Sequence, residues 1–287
     1  MIDRGSAAVA LATAAAAACL SSAAPGAALP EPSPDAGRTT GPARVVVERA
    51  PRFDVLVFSR TAGFRHESID EGRAAIRELG RRHGFSVTTT ESPRAFTDAN
   101  LRRFEAVVWL STTGDVLARP QQRAFQRYVR AGGGYVGVHA AADTEHDWPW
   151  YGRLVGAWFR NHPAIQRATV RVENRRTPSS CFLPRAWSRT DEWYNFRAPR
   201  PGSRADVSPR GRVTVIARLD ESTYDEHDGT ARPDDHPIAW QHRFEGGRAW
   251  YTGGGHTEES YAEPRFRRHL LGGIRWAVQQ VDGAACA

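Results

Sequence analysis

The feature that most limits how this chain can fold is a repeated change of period. Residues 53–58 (FDVLVF) form a short apolar run fit for a buried strand, and residues 68–83 follow with Ile69, Ala75, Ile76 and Leu79 at helical spacing. Residues 85–90 and 106–110 (AVVWL) read as a second and a third strand. Residues 119–131 then predict a helix with Pro120 in its first turn, where a missing N–H costs little, and Gly132-Gly133-Gly134 ends it. Residues 135–138 read as a fourth strand, and the aromatic-rich stretch 148–159 predicts another helix. Strands alternating with helices in this way predict an α/β fold with a doubly wound parallel sheet. From residue 168 the pattern becomes β-rich, with strands expected at 168–172, 213–219, 238–242 and 248–252 before a closing helix over 264–278.

The amino terminus reads differently. Residues 7–20 are a 14-residue, largely apolar run in which nine residues are alanine, behind a single base at Arg4. A bilayer-spanning helix needs about 20 apolar residues, so no stable membrane span is expected. Small residues follow at 21–28, and residues 1–28 predict a signal peptide cleaved after Ala28, which places the protein outside the cytoplasm, secreted or in the cell envelope. Cys19 sits in a poor imitation of a lipoprotein acylation site. Pro30, Pro32, Pro34, Pro42 and Pro51 mark residues 29–52 as an extended linker, leaving one domain over 53–280 and a tail at 281–287. The net charge is +7 and all 39 basic residues are Arg, but they are spread among 32 acidic ones and not gathered with aromatics, so no nucleic-acid partner is expected.

In open parallel sheets ligands bind outside the carboxyl ends of the strands. The loops that leave the predicted strands carry His66 and Ser68, then Thr113 and Asp115, then His139 and Asp143, and so deliver titratable groups to one rim. Ser68 also reads as a helix cap and Asp115 as a turn residue. An imidazole directly after a buried strand, as at His66 and His139, must find a polar partner.

Six stretches together carry a family likeness: Thr61-Ala62-Gly63-Phe64-Arg65-His66-Glu67-Ser68, Thr112-Thr113-Gly114-Asp115, residues 132–140 (GGGYVGVHA), Asp147-Trp148-Pro149-Trp150-Tyr151, Asp191-Glu192-Trp193-Tyr194 and Gly253-Gly254-Gly255-His256. From about Asp54 to Trp276 the chain resembles the ThuA-like (trehalose utilisation) family. The resemblance implies a flavodoxin-like sheet of the class I glutamine amidotransferase type with β-rich additions in the C-terminal half. It also implies a role in disaccharide use, on glycosides oxidised to 3-keto sugars. An amidotransferase holds a nucleophilic Cys in a strained G-x-C-x-G turn. Here that turn reads Gly137-Val138-His139-Ala140-Ala141, and Cys19, Cys181 and Cys286 all lie elsewhere, so glutamine amidotransferase chemistry has no nucleophile.

A histidine-rich rim remains. His139, Glu192 and His66 are the candidate catalytic residues, with His139 as base or ligand and Glu192 as acid, because a carboxyl among large apolar residues has its pKa raised. Thr113, Asp115, Asp143, Trp148, Trp193, Tyr194 and His256 are candidate sugar-binding residues, since indole and phenol rings stack on the C–H faces of sugars and polar groups bond the hydroxyls. His66, His139, His162 and His256 offer enough ligands, from different loops, for a divalent, zinc-like ion, although no H-x-x-x-H motif fixes two on one helix face. Two readings stand: a secreted enzyme that hydrolyses, eliminates or isomerises a 3-keto disaccharide or glycoside, and a non-catalytic carbohydrate-binding protein that has lost the nucleophile. Clustered histidines favour the first; scattered ones beside an aromatic groove favour the second. In an oxidising compartment Cys181 is expected to pair with Cys286. The sequence leaves the oligomeric state open.

Overall fold

Two kinds of strand sequence build the two halves of one sheet. In the computed structural model, which describes residues 53–204, 206–226 and 235–279, the elements run β1 (Asp54–Phe58), α1 (Ile69–His83), β2 (Ser86–Thr90), α2 (Asp98–Leu101), β3 (Ala106–Leu110), α3 (Arg119–Arg130), β4 (Gly134–Val138), α4 (Pro149–Val155), β5 (Trp158–Asn161), β6 (Gln166–Val172), β7 (Ala186–Asp191), β8 (Asn195–Arg197), β9 (Thr214–Asp220), β10 (Pro237–Phe244), β11 (Gly247–Thr252), α5 (Glu258–Ala262) and α6 (Pro264–Ala277). The leader, the linker and the tail at 281–287 lie outside the described residues.

Every residue of β3, β4 and β11 is buried, as expected where both faces of a parallel sheet are covered. In β7 exposed and buried residues alternate strictly, which is the mark of a strand with one face in water. The strand order is β2-β1-β3-β4-β11-β10-β9-β6-β7, with β5 and β8 forming a separate pair. From β2 to β11 all pairings are parallel, in the flavodoxin order. From β11 to β7 all are antiparallel. The segment from β5 to β10 is therefore an insertion between the fourth and fifth parallel strands, and it lengthens the sheet from its β11 side. Because the direction reverses at each antiparallel step, β9 and β7 point the same way as β1, β3, β4 and β11. Their carboxyl ends open on one rim.

α1 forms where the spacing predicts it, with Ile69, Ala75, Ile76 and Leu79 buried, and stops at Gly84, whose φ of 78° closes the helix. The predicted helix over 148–159 is shorter than expected. It ends at Val155, because Gly156 takes φ 104° and a Cβ there would lie 2.6 Å from the Trp240 Nε1 atom. Trp158–Asn161 then becomes β5 and pairs with β8. The sequence reading also missed β7 and β8, since AWSRTD alternates with charged residues and NFR is too short to carry a period. Cys181 is disulfide-bonded. Its expected partner Cys286 lies outside the described residues.

Candidate functional site

The β4 strand runs straight into a short 3-10 turn, His139–Asp143, and the first residue of that turn sits at φ 49°. A positive φ on a residue with a side chain is strained and persists only where the surroundings fix it. Here Tyr251 donates its hydroxyl proton to the His139 carbonyl at 2.9 Å, and the His139 Nδ1 donates to the Gly253 carbonyl at 2.8 Å. The turn thus keeps the sharp geometry of a nucleophile elbow and presents an imidazole. His139 is fully buried. Although it lies at the rim, its ring is covered by Tyr194, at 4.2 Å between centroids.

Glycines and a buried aspartate shape the loop after β11. Gly255 has φ 110°, so a side chain there would be strained, and a Cβ would lie 2.8 Å from the Tyr261 hydroxyl. The Gly255 carbonyl accepts protons from Ser68 Oγ and Tyr261 Oη, both at 3.1 Å. Ser68 makes no side-chain cap to α1; its hydroxyl is used to hold this loop. At the end of β7, Asp191 accepts from the backbone N–H groups of Gly255 (2.8 Å) and His256 (3.0 Å), from Ser260 Oγ (3.1 Å), and pairs with Arg189 at 3.1 Å. Asp191 is the positioning residue that the sequence reading missed. Its only signal was a carboxylate closing an alternating strand immediately before Glu192.

With both loops fixed, four side chains converge. His139 Nε2 lies 3.1 Å from His256 Nδ1 and 3.3 Å from Glu192 Oε2, and His256 Nδ1 lies 3.0 Å from the same oxygen. The His66 ring stands edge-on to His139 and His256, at 4.8 and 5.0 Å between centroids. His162 is exposed and approaches the other carboxylate oxygen, Glu192 Oε1, at 3.1 Å, while its Nδ1 also donates to the Pro163 carbonyl.

The electrostatics follow from this packing. Burial and the neighbouring His139 and His256 imidazoles pull the His66 pKa down to about 2. Burial by itself raises Glu192, but hydrogen bonds from His139 and His256 and their charge outweigh it and hold the carboxyl well below the usual carboxylate range. The expected upward shift for a general acid is therefore reversed, because the partners of Glu192 are imidazoles and not the apolar rings beside it in sequence. For His256, burial lowers the pKa but the Glu192 carboxylate more than compensates, and the imidazole is raised above its ordinary value. Asp143 is pushed up to about 6 by burial, opposed by Arg197.

Of the other sequence candidates, Tyr194 joins the cluster and forms a wall with Phe159, 4.3 Å away. Trp193 does not: it is buried and its indole N–H bonds the Gln166 carbonyl. Trp148 is buried in a stack with Trp150 at 5.0 Å. Thr113 is buried and tied to the Phe64 carbonyl at 2.7 Å, so it locks the β1 and β3 loops together. Asp115 is exposed, and among the described residues no contact links it to the cluster. Asp143 faces His146 at 3.3 Å. Phe64, which sequence reasoning did not single out, is 66% exposed beside His66 and extends the aromatic surface at the mouth.

No curated protein matches the chain. Among solved structures, a putative ThuA-like protein from Bacteroides uniformis is similar at 23% identity, over 86% of this chain and 98% of that one, with a TM-score of 0.65. Another from Parabacteroides merdae is similar at 18% identity, over 80% and 91%, with a TM-score of 0.63. At these identities the likeness concerns the fold. The family described as ThuA, trehalose utilisation, matches residues 54–277, a span that holds both the parallel strands and the inserted β7 that supplies Asp191 and leads into Glu192. The chain belongs to the ThuA family.

Proposed function

We propose that the protein is an enzyme acting on a carbohydrate, with a disaccharide or glycoside oxidised to a 3-keto sugar as its substrate class. The observation that carries this reading is the convergence of His66, His139, His256 and Glu192 at the carboxyl rim of the sheet, with His162 at the edge and Phe64, Phe159 and Tyr194 as neighbouring rings. A binding module needs no such concentration of proton-transferring groups. In a 3-keto sugar the carbonyl acidifies the adjacent C–H, so a base drives elimination or isomerisation and an acid protonates the leaving oxygen. The ionised Glu192 and the imidazoles around it supply the basic side. His162, the most exposed imidazole of the group, is placed to return a proton. The apolar faces of the sugar pack on the rings. The disulfide at Cys181 fits an exported protein, as the leader at 1–28 predicts.

The test is a screen of oxidised and unoxidised disaccharides against the purified chain, with product detection. Turnover of a 3-keto disaccharide, lost on His139→Asn, is the expected result. Binding of such sugars without turnover returns the function to a carbohydrate-binding protein, and neither binding nor turnover overturns the reading.

A further inference from the structure

We propose that His66, His139, His256 and Glu192 form a binding site for one divalent transition-metal ion of the zinc type. The proposal rests on the same rim cluster as the carbohydrate reading and deepens it by naming what polarises the sugar.

Distance is the first ground. Zinc bonds to nitrogen and oxygen are about 2.0–2.1 Å, which at tetrahedral angles puts neighbouring ligand atoms about 3.3 Å apart. His139 Nε2, His256 Nδ1 and Glu192 Oε2 form a triangle with edges of 3.1, 3.3 and 3.0 Å. The His66 ligand atom completes the set, with all four within 4.8 Å of one another.

Proton counting is the second. The Gly253 carbonyl can only accept, so the His139 Nδ1 carries a proton, and whenever the ring is neutral its lone pair is on Nε2 and its hydrogen bond to Glu192 is lost. That lone pair faces His256 Nδ1 and a carboxylate oxygen, which is another acceptor. A proton on His256 Nδ1 satisfies one of the three contacts in the triangle; a cation at its centre satisfies all three. His66 adds a third observation, since it is buried and its Nδ1 has no hydrogen-bond partner. A buried polar atom left in that state costs about 1–3 kcal/mol.

The surroundings also match. Metal-binding histidines and carboxylates are oriented by outer hydrogen bonds. Here the Gly253 carbonyl orients His139, Asp191 holds the backbone N–H of His256, and His162 sits against the free oxygen of Glu192. Three nitrogens and one oxygen suit zinc, cobalt or nickel better than magnesium or calcium, which take oxygen ligands. His162, the fourth histidine expected as a ligand from sequence, is an outer partner, and Glu192 takes its place. A bound ion would supply Lewis-acid polarisation to a carbonyl or hydroxyl oxygen of the sugar taken in addition to the four side chains, which would leave His162 as the group that transfers protons.

The chain, purified without a histidine tag and stripped with chelator, is titrated with zinc chloride and separately with cobalt chloride. One ion per chain is expected, with a Kd tighter than about 1 μM, a rise in Tm, and the visible spectrum of four-coordinate cobalt. Glu192→Gln and His139→Asn should each weaken binding by about 100-fold, and His83→Asn, exposed at the end of α1 and outside the cluster, should leave it unchanged. Absence of saturable binding and of any Tm rise in the unmutated chain overturns the proposal, whatever the variants do. So does binding that Glu192→Gln and His139→Asn leave intact, and so does full sugar turnover by metal-free protein. An ion bound at this site with no sugar processed sustains the proposal and sinks the carbohydrate reading.

Discussion

Among the described residues, two groups of histidine and carboxylate side chains crowd together, and they differ in how their nitrogens are spent. In the second group, Glu221, Glu226 and His236, the imidazole is saturated. His236 Nδ1 faces Glu221 at 2.8 Å and the Tyr224 hydroxyl at 3.2 Å, and its Nε2 donates to the Tyr194 carbonyl at 2.9 Å. In the first group the ring nitrogens of His139 and His256 face each other and a shared carboxylate oxygen, and His66 Nδ1 faces nothing that bonds it. Residue types and crowding are alike in the two, so neither marks a site of chemistry. What separates them is the state of the imidazoles: both His236 nitrogens have partners, while His66 Nδ1 has none. His236 holds the backbone of Tyr194, whose ring covers His139.

The comparison breaks if the two groups respond alike to substitution. The largest effect is expected at His139, where Asn tolerates the positive φ while removing the imidazole. His139→Asn should lower turnover of a 3-keto disaccharide by about 10²–10⁴-fold with the fold retained, measured by product formation and circular dichroism. Next is Asp191, which supports the open group from beneath. Asp191→Asn takes the negative charge from a buried pair with Arg189, so a loss of about 3 kcal/mol in denaturant unfolding is expected, the low end for a broken buried ion pair because Glu263 still lies 3.2 Å from that arginine.

A third imidazole sharpens the contrast by belonging to neither group. His269 is buried, donates to the Ser179 carbonyl at 2.6 Å and packs on Trp250. Burial, opposed by that hydrogen bond, lowers its pKa to about 4. The folded state therefore favours the neutral ring. Stability tied to His269 is whole above pH 6.5 and is lost as the pH falls toward 4, by about 3 kcal/mol at most. Urea unfolding of the native chain and of His269→Asn between pH 7 and pH 4 checks this, with a flatter pH dependence in the variant. The smallest effect belongs to the saturated group. His236→Gln should cost about 1–3 kcal/mol through the unpaired Glu221, and lower turnover by no more than about tenfold through Tyr194. A loss at His236 as deep as at His139 would erase the distinction between the groups.

His66 and His139 were legible one by one, because each follows on a buried run read as a parallel strand and such ends converge on one rim, while His256 was legible through the Gly253-Gly254-Gly255-His256 stretch that carries the family likeness. Glu192 was legible only through the likeness of Asp191-Glu192-Trp193-Tyr194 to a family. Its strand, β7, alternates with charged residues and lies four strands away from β11 in the sheet. The aromatic candidates divided for the same reason. Nothing in the local sequence separates Tyr194, which stacks on His139, from its neighbour Trp193, which is buried and spends its N–H on Gln166.

Local pattern alone thus determined the α/β alternation, the covered parallel strands, the ends of α1 and α3, and the absence of a thiol in the turn after β4, since each depends on residues adjacent in the chain. Tertiary structure decided the rest. Only the parity of antiparallel steps from β11 to β7 brings Glu192 to the same rim as His139, and only that meeting reverses its pKa shift, because charge and hydrogen bonding act through a few ångströms of space while the two residues stand 53 positions apart in sequence.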